Sequence, residues 1–313
     1  MPEPLFQRPL FQRLTIIGLG HIGSSIARIA MQDRSLAPEI VASDASPDVL
    51  DRVKILQIAD RIEPDPAQAV LGADLIILAA PVGAFAAIAA TIVPHLAPGA
   101  ILTDTGSTKV SVIRDVTPHL PPGIHFIPGH PLAGTEYSGP DAGFSTLFQG
   151  RWALLTPLPN ADPAAVDRLI QFWQRCGAMV ETMDPAHHDR VLAIVSHLPH
   201  LIAFTICGTA DDLATEGDRE RDSGNPDVAT HSEVLKFAAS GFRDFTRIAA
   251  SNPVMWRDIF LNNREALLEM LARFTEDSQA MARAVRWGDA AYIEDKIQRG
   301  RAIRKGLIEL NQA

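Results

Sequence analysis

The chain has 313 residues, 47% hydrophobic and 21% charged, which supplies a sizeable core and excludes general disorder. Its 37 acidic residues outnumber 28 basic ones, and the formal net charge of -9 argues against a broad nucleic-acid-binding surface. Two cysteines, Cys176 and Cys207, exclude a disulfide scaffold and suit a reducing compartment.

No N-terminal secretory pattern is present, and apolar runs such as 75–80 are strand-sized rather than membrane-length. A cytoplasmic protein without membrane or nucleic-acid partners is expected. Residues 14–18, 40–43, 75–80 and 101–103 read as strands, with helical patterns near 24–33, 47–58, 83–93 and 108–117 between them. Such alternation predicts an α/β domain with a largely parallel sheet covered on both faces. A further strand–helix–strand unit over 152–182 is expected to finish that sheet. Beyond Asp184 the spacing turns helical, near 185–213, 228–250, 254–274, 277–287 and 289–311. We expect a first domain over 1–182 and an all-α domain over 183–313. The charged interval 211–227, with Gly217, Gly224 and Pro226, is the expected mobile loop.

The earliest chemical signal directly follows the first strand. Gly18, Leu19, Gly20, His21, Ile22 and Gly23 spell GxGxxG ahead of a helix. The first glycine permits a tight turn, the second lets a pyrophosphate approach, and the third allows close helix–strand packing. Asp44 follows a second strand, 21 positions beyond Gly23. It can accept hydrogen bonds from ribose hydroxyls and disfavours an added 2′-phosphate. The pattern predicts a Rossmann-type dinucleotide domain that prefers NAD to NADP. Ala80 and Pro81 close another strand and are expected to pass the cofactor.

Residues 104–109 end a strand and open a helix. Ser107 there offers a hydrogen bond to a substrate or caps the helix, while Lys109 attracts an anion or is solvated. Seven of the ten histidines lie between positions 119 and 200. His130, in a segment shaped into a loop by Gly129, Pro131 and Gly134, has the chemistry of a general base; a structural histidine is the other reading. Thr135 and Glu136 follow it. Ser196, His197 and His200 form a second cluster; on a helix Ser196 and His200 share a face, although Pro199 disturbs it. A metal held by His197, His200 and Glu136 has no HExxH or cysteine pattern to support it, so no metal is expected. Arg243 and Arg247 stand four apart, and a guanidinium fork suits a carboxylate. Arg247 is the preferred anion ligand. Trp256 either lines an aromatic pocket or belongs to the core.

In this order, the motifs resemble those of the prephenate/arogenate (cyclohexadienyl) dehydrogenase family of tyrosine biosynthesis, over roughly residues 12–305. The matching segments are 18–23 with Asp44, 104–109, 130–139, 196–200 and 242–247, followed by Trp256. The resemblance implies a helical dimerisation and substrate domain and therefore a homodimer. It also implies that NAD accepts hydride from C4 of prephenate while His130 accepts the C4 hydroxyl proton and Ser107 orients that hydroxyl. Arg247 then contacts the ring carboxylate. Ser196, His197, His200, Thr135, Glu136 and Trp256 complete the substrate contacts. Arogenate, which carries an amino group where prephenate carries a keto group, is a second candidate substrate. A β-hydroxyacid dehydrogenase and a nonenzymatic dinucleotide-binding regulator are the competing readings.

Overall fold

A computed structural model describes residues 8–134 and 137–309. Its first five strands are β1 (Arg13–Ile17), β2 (Glu39–Ser43), β3 (Arg61–Ile62), β4 (Leu75–Leu78) and β5 (Ile101–Asp104), followed by the short β6 (His125–Phe126). They form one parallel sheet in the order β3-β2-β1-β4-β5-β6. The crossovers contain α1 (His21–Gln32), α2 (Pro47–Leu56), α3 (Pro66–Ala69), α4 (Phe85–Ile92) and α5 (Val110–Val116). This is the doubly wound arrangement, with every loop that follows a strand's carboxyl end on one edge of the sheet.

Period-two alternation explains why both faces are covered. Ile16 and Ile77 point into a core shared with Ile26, Ala30 and Trp173. Their neighbours Ile17, Ile76 and Leu78 enter a second core with Phe85, Ile92 and Val116. Both sets are almost wholly buried, so each strand reads as a continuous apolar run.

The unit over 152–182 departs from expectation. β7 (Gly129–Pro131), β8 (Trp152–Leu155) and β9 (Met179–Thr182) make a separate three-stranded sheet rather than extending the first. β7 runs antiparallel to β8 and β9 parallel to it, with α6 (Pro163–Arg175) as the crossover. His130 therefore sits on a strand, opposite Leu154, and not in a loop.

Helices then follow: α7 (Pro185–Leu192), α8 (Leu198–Asp222), α9 (His231–Phe237), α10 (Ser240–Thr246), α11 (Pro253–Asn262), α12 (Arg264–Trp287) and α13 (Ala290–Glu309). Local chemistry sets several starts. Asp162, Asp184 and Asn252 accept first-turn N–H bonds, and each precedes a proline that needs no helical donor. The charged interval expected to be a loop is helical as far as Asp222. Gly217 has a packing role instead: a Cβ there would lie 1.9 Å from the Ala229 carbonyl, so only glycine lets the returning segment cross.

One helical run, Pro185–Asp222, is long and apolar enough by length and composition to cross a membrane, which the reading of apolar runs as strand-sized overlooked. Yet His188, Asp189 and His197 on this run are buried in protein and hydrogen-bonded to other elements. Internal contacts divide the chain into a unit ending at Arg264 and another beginning at Glu265. In the second, Lys296 of α13 donates to Asp277 of α12 at 2.8 Å.

Candidate active site

The glycine loop is built by exclusion. Gly18 has φ of +97°, and a Cβ there would stand 2.6 Å from the Ala79 carbonyl carbon; one on Gly23 would fall 1.9 Å from the Gly18 oxygen. A Cβ on Gly20 would meet no atom within 4 Å. Two glycines thus serve the protein's packing, and the third leaves room for something else. Asp44 follows β2; its carboxylate accepts the Leu19 N–H at 2.8 Å and the Ser46 N–H at 2.9 Å. Leu19 is buried, His21 is buried in the first turn of α1, and Ile22 is half-buried. Burial lowers the His21 pKa from its ordinary value. The backbone of Ala79 and Ala80 lies against Gly18, and Pro81 leads into the turn Val82–Ala84. Open space at Gly20, the first turn of α1 and an acidic side chain after β2 fit a dinucleotide.

A second constellation begins where β5 ends. Lys109 is fully buried, paired with Asp104 and donating to the Gly129 carbonyl, so it is neither solvated nor available to an external anion. Asp104 also accepts N–H bonds from Gly106 and Gly129. Burial raises the Asp104 pKa and lowers that of Lys109, while their mutual attraction opposes both shifts. This pair ties the loop after β5 to β7, and β7 carries His130.

His130 is 8% exposed. Burial drives its pKa well below the ordinary value, and His188, Lys109 and His197 reinforce the shift. Its Nδ1 lies 2.9 Å from His188 Nε2, and His188 Nδ1 lies 2.8 Å from Asp189 Oδ1. The Asp189 carboxylate also accepts the Lys109 and Val110 N–H groups at 2.7 and 2.9 Å, capping α5 from α7. Ser107 is therefore not the cap of that helix. It stands half-buried in the turn after β5, its hydroxyl without a hydrogen-bond partner among the described residues.

Ser196 and His197 lie in a π-helical turn, Ala193–His197, that joins α7 to α8. Pro199 has no N–H for the carbonyl four positions back, and the wider turn accommodates it. The His200 Nδ1–H donates to the Ser196 carbonyl at 2.9 Å, leaving Nε2 as the other nitrogen. His200 stacks on Trp256 at 3.6 Å; burial lowers its pKa, the bond to Ser196 works against that shift, and Arg247, in the turn after α10, adds to it. Trp256 belongs to the core, 6% exposed and flanked by Phe204 and Phe260. Its indole nitrogen nevertheless has no hydrogen-bond partner among the described residues. The Asn263 amide donates to the Asp189 carbonyl at 2.8 Å and to His197 Nδ1 at 2.9 Å. His197 therefore carries its proton on Nε2, a buried donor with no partner among the described residues. Burial pushes its pKa down to about 4. Thr135 and Glu136 lie outside the described residues.

His188, Asp189 and Asn263 escaped the sequence reading. His187 and His188 are adjacent, and only the buried face of α7 distinguishes the exposed first from the enclosed second. The Asp184-Pro185 cap sets that face, which makes it the one local signal available.

Comparison with known proteins places these observations. The prephenate dehydrogenase nucleotide-binding domain matches residues 27–182, and the prephenate dehydrogenase dimerization domain matches 184–299. The chain belongs to the prephenate dehydrogenase family. It is 38% identical to a cyclohexadienyl dehydrogenase of Zymomonas mobilis, over 95% of this chain and 97% of that protein. Identity to a prephenate dehydrogenase of Bacillus subtilis is 31%, over 94% and 76% of the two chains. A solved prephenate dehydrogenase from Aquifex aeolicus, in complex with hydroxyphenyl propionate and NAD+, superposes with a TM-score of 0.83 at 30% identity. That match covers 97% of this chain and all of the other. Membership makes the chain a dehydrogenase of prephenate or a related cyclohexadienyl substrate, forming a hydroxyphenyl product with NAD(P) through a Rossmann-like domain and an all-α domain.

Proposed function

We propose that the chain oxidatively decarboxylates prephenate to 4-hydroxyphenylpyruvate, with NAD as cofactor. The observation that carries this reading is His130, a buried imidazole held neutral beside the carboxyl edge of the parallel sheet. Asp44 supports NAD, because a carboxylate after β2 repels a 2′-phosphate and accepts ribose hydroxyls. The NAD+ bound to the Aquifex aeolicus relative supports the same choice. Residues 18–23, Asp44, Ala80 and Pro81 would hold the dinucleotide, which when bound supplies the hydride acceptor.

Oxidation at C4 requires its hydroxyl to lose a proton as the carbonyl forms. His130 accepts that proton, and Ser107 orients the hydroxyl. The bond from C1 to its carboxylate then breaks, carbon dioxide leaves, and the released electron pair completes the aromatic ring. Arg247 holds the ring carboxylate. His200, Ser196, His197 and the Trp256 indole N–H supply the neighbouring polar contacts, with Thr135 and Glu136 as further contacts taken from the family motif.

The cyclohexadienyl name of the Zymomonas mobilis relative supports turnover of arogenate as well. We place the domain boundary at 182/183 and the protein in the cytoplasm as a homodimer. Both cysteines are free, and burial pushes the Cys176 thiol pKa up. Ile194, Val195, Ile206 and Leu213 expose 40–64% of their surface along one helical run, an apolar face suited to a second copy. Initial rates with prephenate and arogenate, each with NAD and NADP, test the assignment. Turnover of prephenate with NAD is the expected result; activity with arogenate alone, under saturating NAD, overturns it.

A further inference from the structure

A buried chain of side chains runs from His130 through His188 to Asp189, and its far end determines where every proton sits. Two backbone N–H groups already point at the Asp189 carboxylate, which therefore acts as acceptor toward His188. The proton on that contact belongs to His188 Nδ1, 2.8 Å away. His188 is completely buried, and burial lowers its pKa, so the ring is neutral and keeps a lone pair on Nε2. The 2.9 Å contact to His130 must then be completed by the Nδ1–H of His130. A neutral His130 with its proton on Nδ1 has its lone pair on Nε2.

We propose that His188, backed by Asp189, is a positioning residue that locks His130 in the Nδ1–H tautomer and so presents Nε2 as the base. This deepens, and rests on, the assignment of His130 as proton acceptor. The arrangement also shapes the product of the transfer. Once Nε2 takes the substrate proton, the imidazolium keeps its Nδ1–H on His188, and Asp189 opposes the new charge through that ring. Of the charges facing His130, a protonated His188 would resist its protonation, as Lys109 and His197 do, and Asp104 is engaged by Lys109. Asp189 is thus the anion that His130 reaches, and His188 is the link.

Two replacements separate this role from simple packing. In His188→Gln a carboxamide oxygen can accept the His130 Nδ1–H, whereas His188→Leu fills space and accepts nothing. Relative to an active wild type, His188→Leu should lower kcat about 100-fold while leaving NAD binding and the substrate KM little changed. His188→Gln should recover most of the lost kcat. Wild-type kcat in His188→Leu, or equal losses in both variants, overturns the proposal. If His188→Leu does not fold, histidine-labelled wild-type protein gives the tautomer directly by nitrogen–proton correlation NMR, with His130 assigned by its loss in His130→Gln. A proton on Nδ1 supports the proposal and one on Nε2 overturns it. A wild type inactive toward both cyclohexadienyl substrates sinks the functional assignment instead, and leaves the tautomer to be read on its own.

Discussion

Asn263 holds His197 by a 2.9 Å hydrogen bond from its side-chain amide to the ring Nδ1, joining the end of α11 to the π-helical turn. Its other amide hydrogen goes to the Asp189 carbonyl, so one side chain anchors two parts of the histidine cluster. Asn263→Ala leaves His197 Nδ1 buried and unpaired and removes one of the two donors to the Asp189 carbonyl, which keeps the Ala193 N–H. It should lower unfolding stability by about 1–3 kcal/mol, and free His197 to exchange tautomers should raise the substrate KM more than it lowers kcat. Urea unfolding with steady-state kinetics checks both parts; unchanged stability and KM contradict them.

The three glycines of the first loop should separate by function. Gly20→Ala adds a methyl where no protein atom lies within 4 Å, at an ordinary φ of -70°. It should melt like the wild type while binding NAD more weakly. Gly23→Ala drives a methyl onto the Gly18 carbonyl and should lose stability itself. Thermal melting and cofactor titration of the two variants make the comparison, and a Gly20→Ala protein with undiminished NAD affinity goes against the cradle.

Asp44→Ser removes the carboxylate that we propose favours ribose hydroxyls over phosphate. The expected change is a loss of roughly 10- to 100-fold in kcat/KM for NAD, with NADP far less affected. The ratio of kcat/KM for the two cofactors is the measurement. A ratio that does not move removes Asp44 from cofactor selection.

The buried histidines make stability sensitive to acid. His197 falls from an ordinary 6.5 to about 4 in the folded chain, and His130 and His188 shift in the same direction. Below pH 6.5 the unfolded chain therefore binds more protons than the folded one. Stability is full above that pH and declines as pH falls toward 4, with about 3 kcal/mol at stake for His197 alone. Urea midpoints should drop between pH 7 and pH 5. Equal midpoints contradict neutral burial of these rings.

Legibility in the sequence followed the range of the interactions. The parallel sheet was legible because β1, β2, β4 and β5 are short, largely apolar runs, with β4 sending Leu75 and Ile77 to one core and Ile76 and Leu78 to the other. The glycine loop was legible because its pattern falls within six consecutive residues, even though Gly18 is constrained by the distant Ala79 backbone. Long-range pairing was not. Nothing local says that the strand bearing His130 leaves the first sheet and pairs with Leu154, or that Lys109 turns inward to Asp104. His188 and Asn263 stayed hidden for the same reason: their partners lie 58 and 66 residues away.

His130 is the proposed acceptor of the substrate proton. Single-turnover rates of wild type and His130→Gln with prephenate and NAD, measured beside NAD affinity, test it most directly. We predict that His130→Gln binds NAD as the wild type does while its rate falls by about 100- to 10,000-fold. An undiminished rate in that variant contradicts the account.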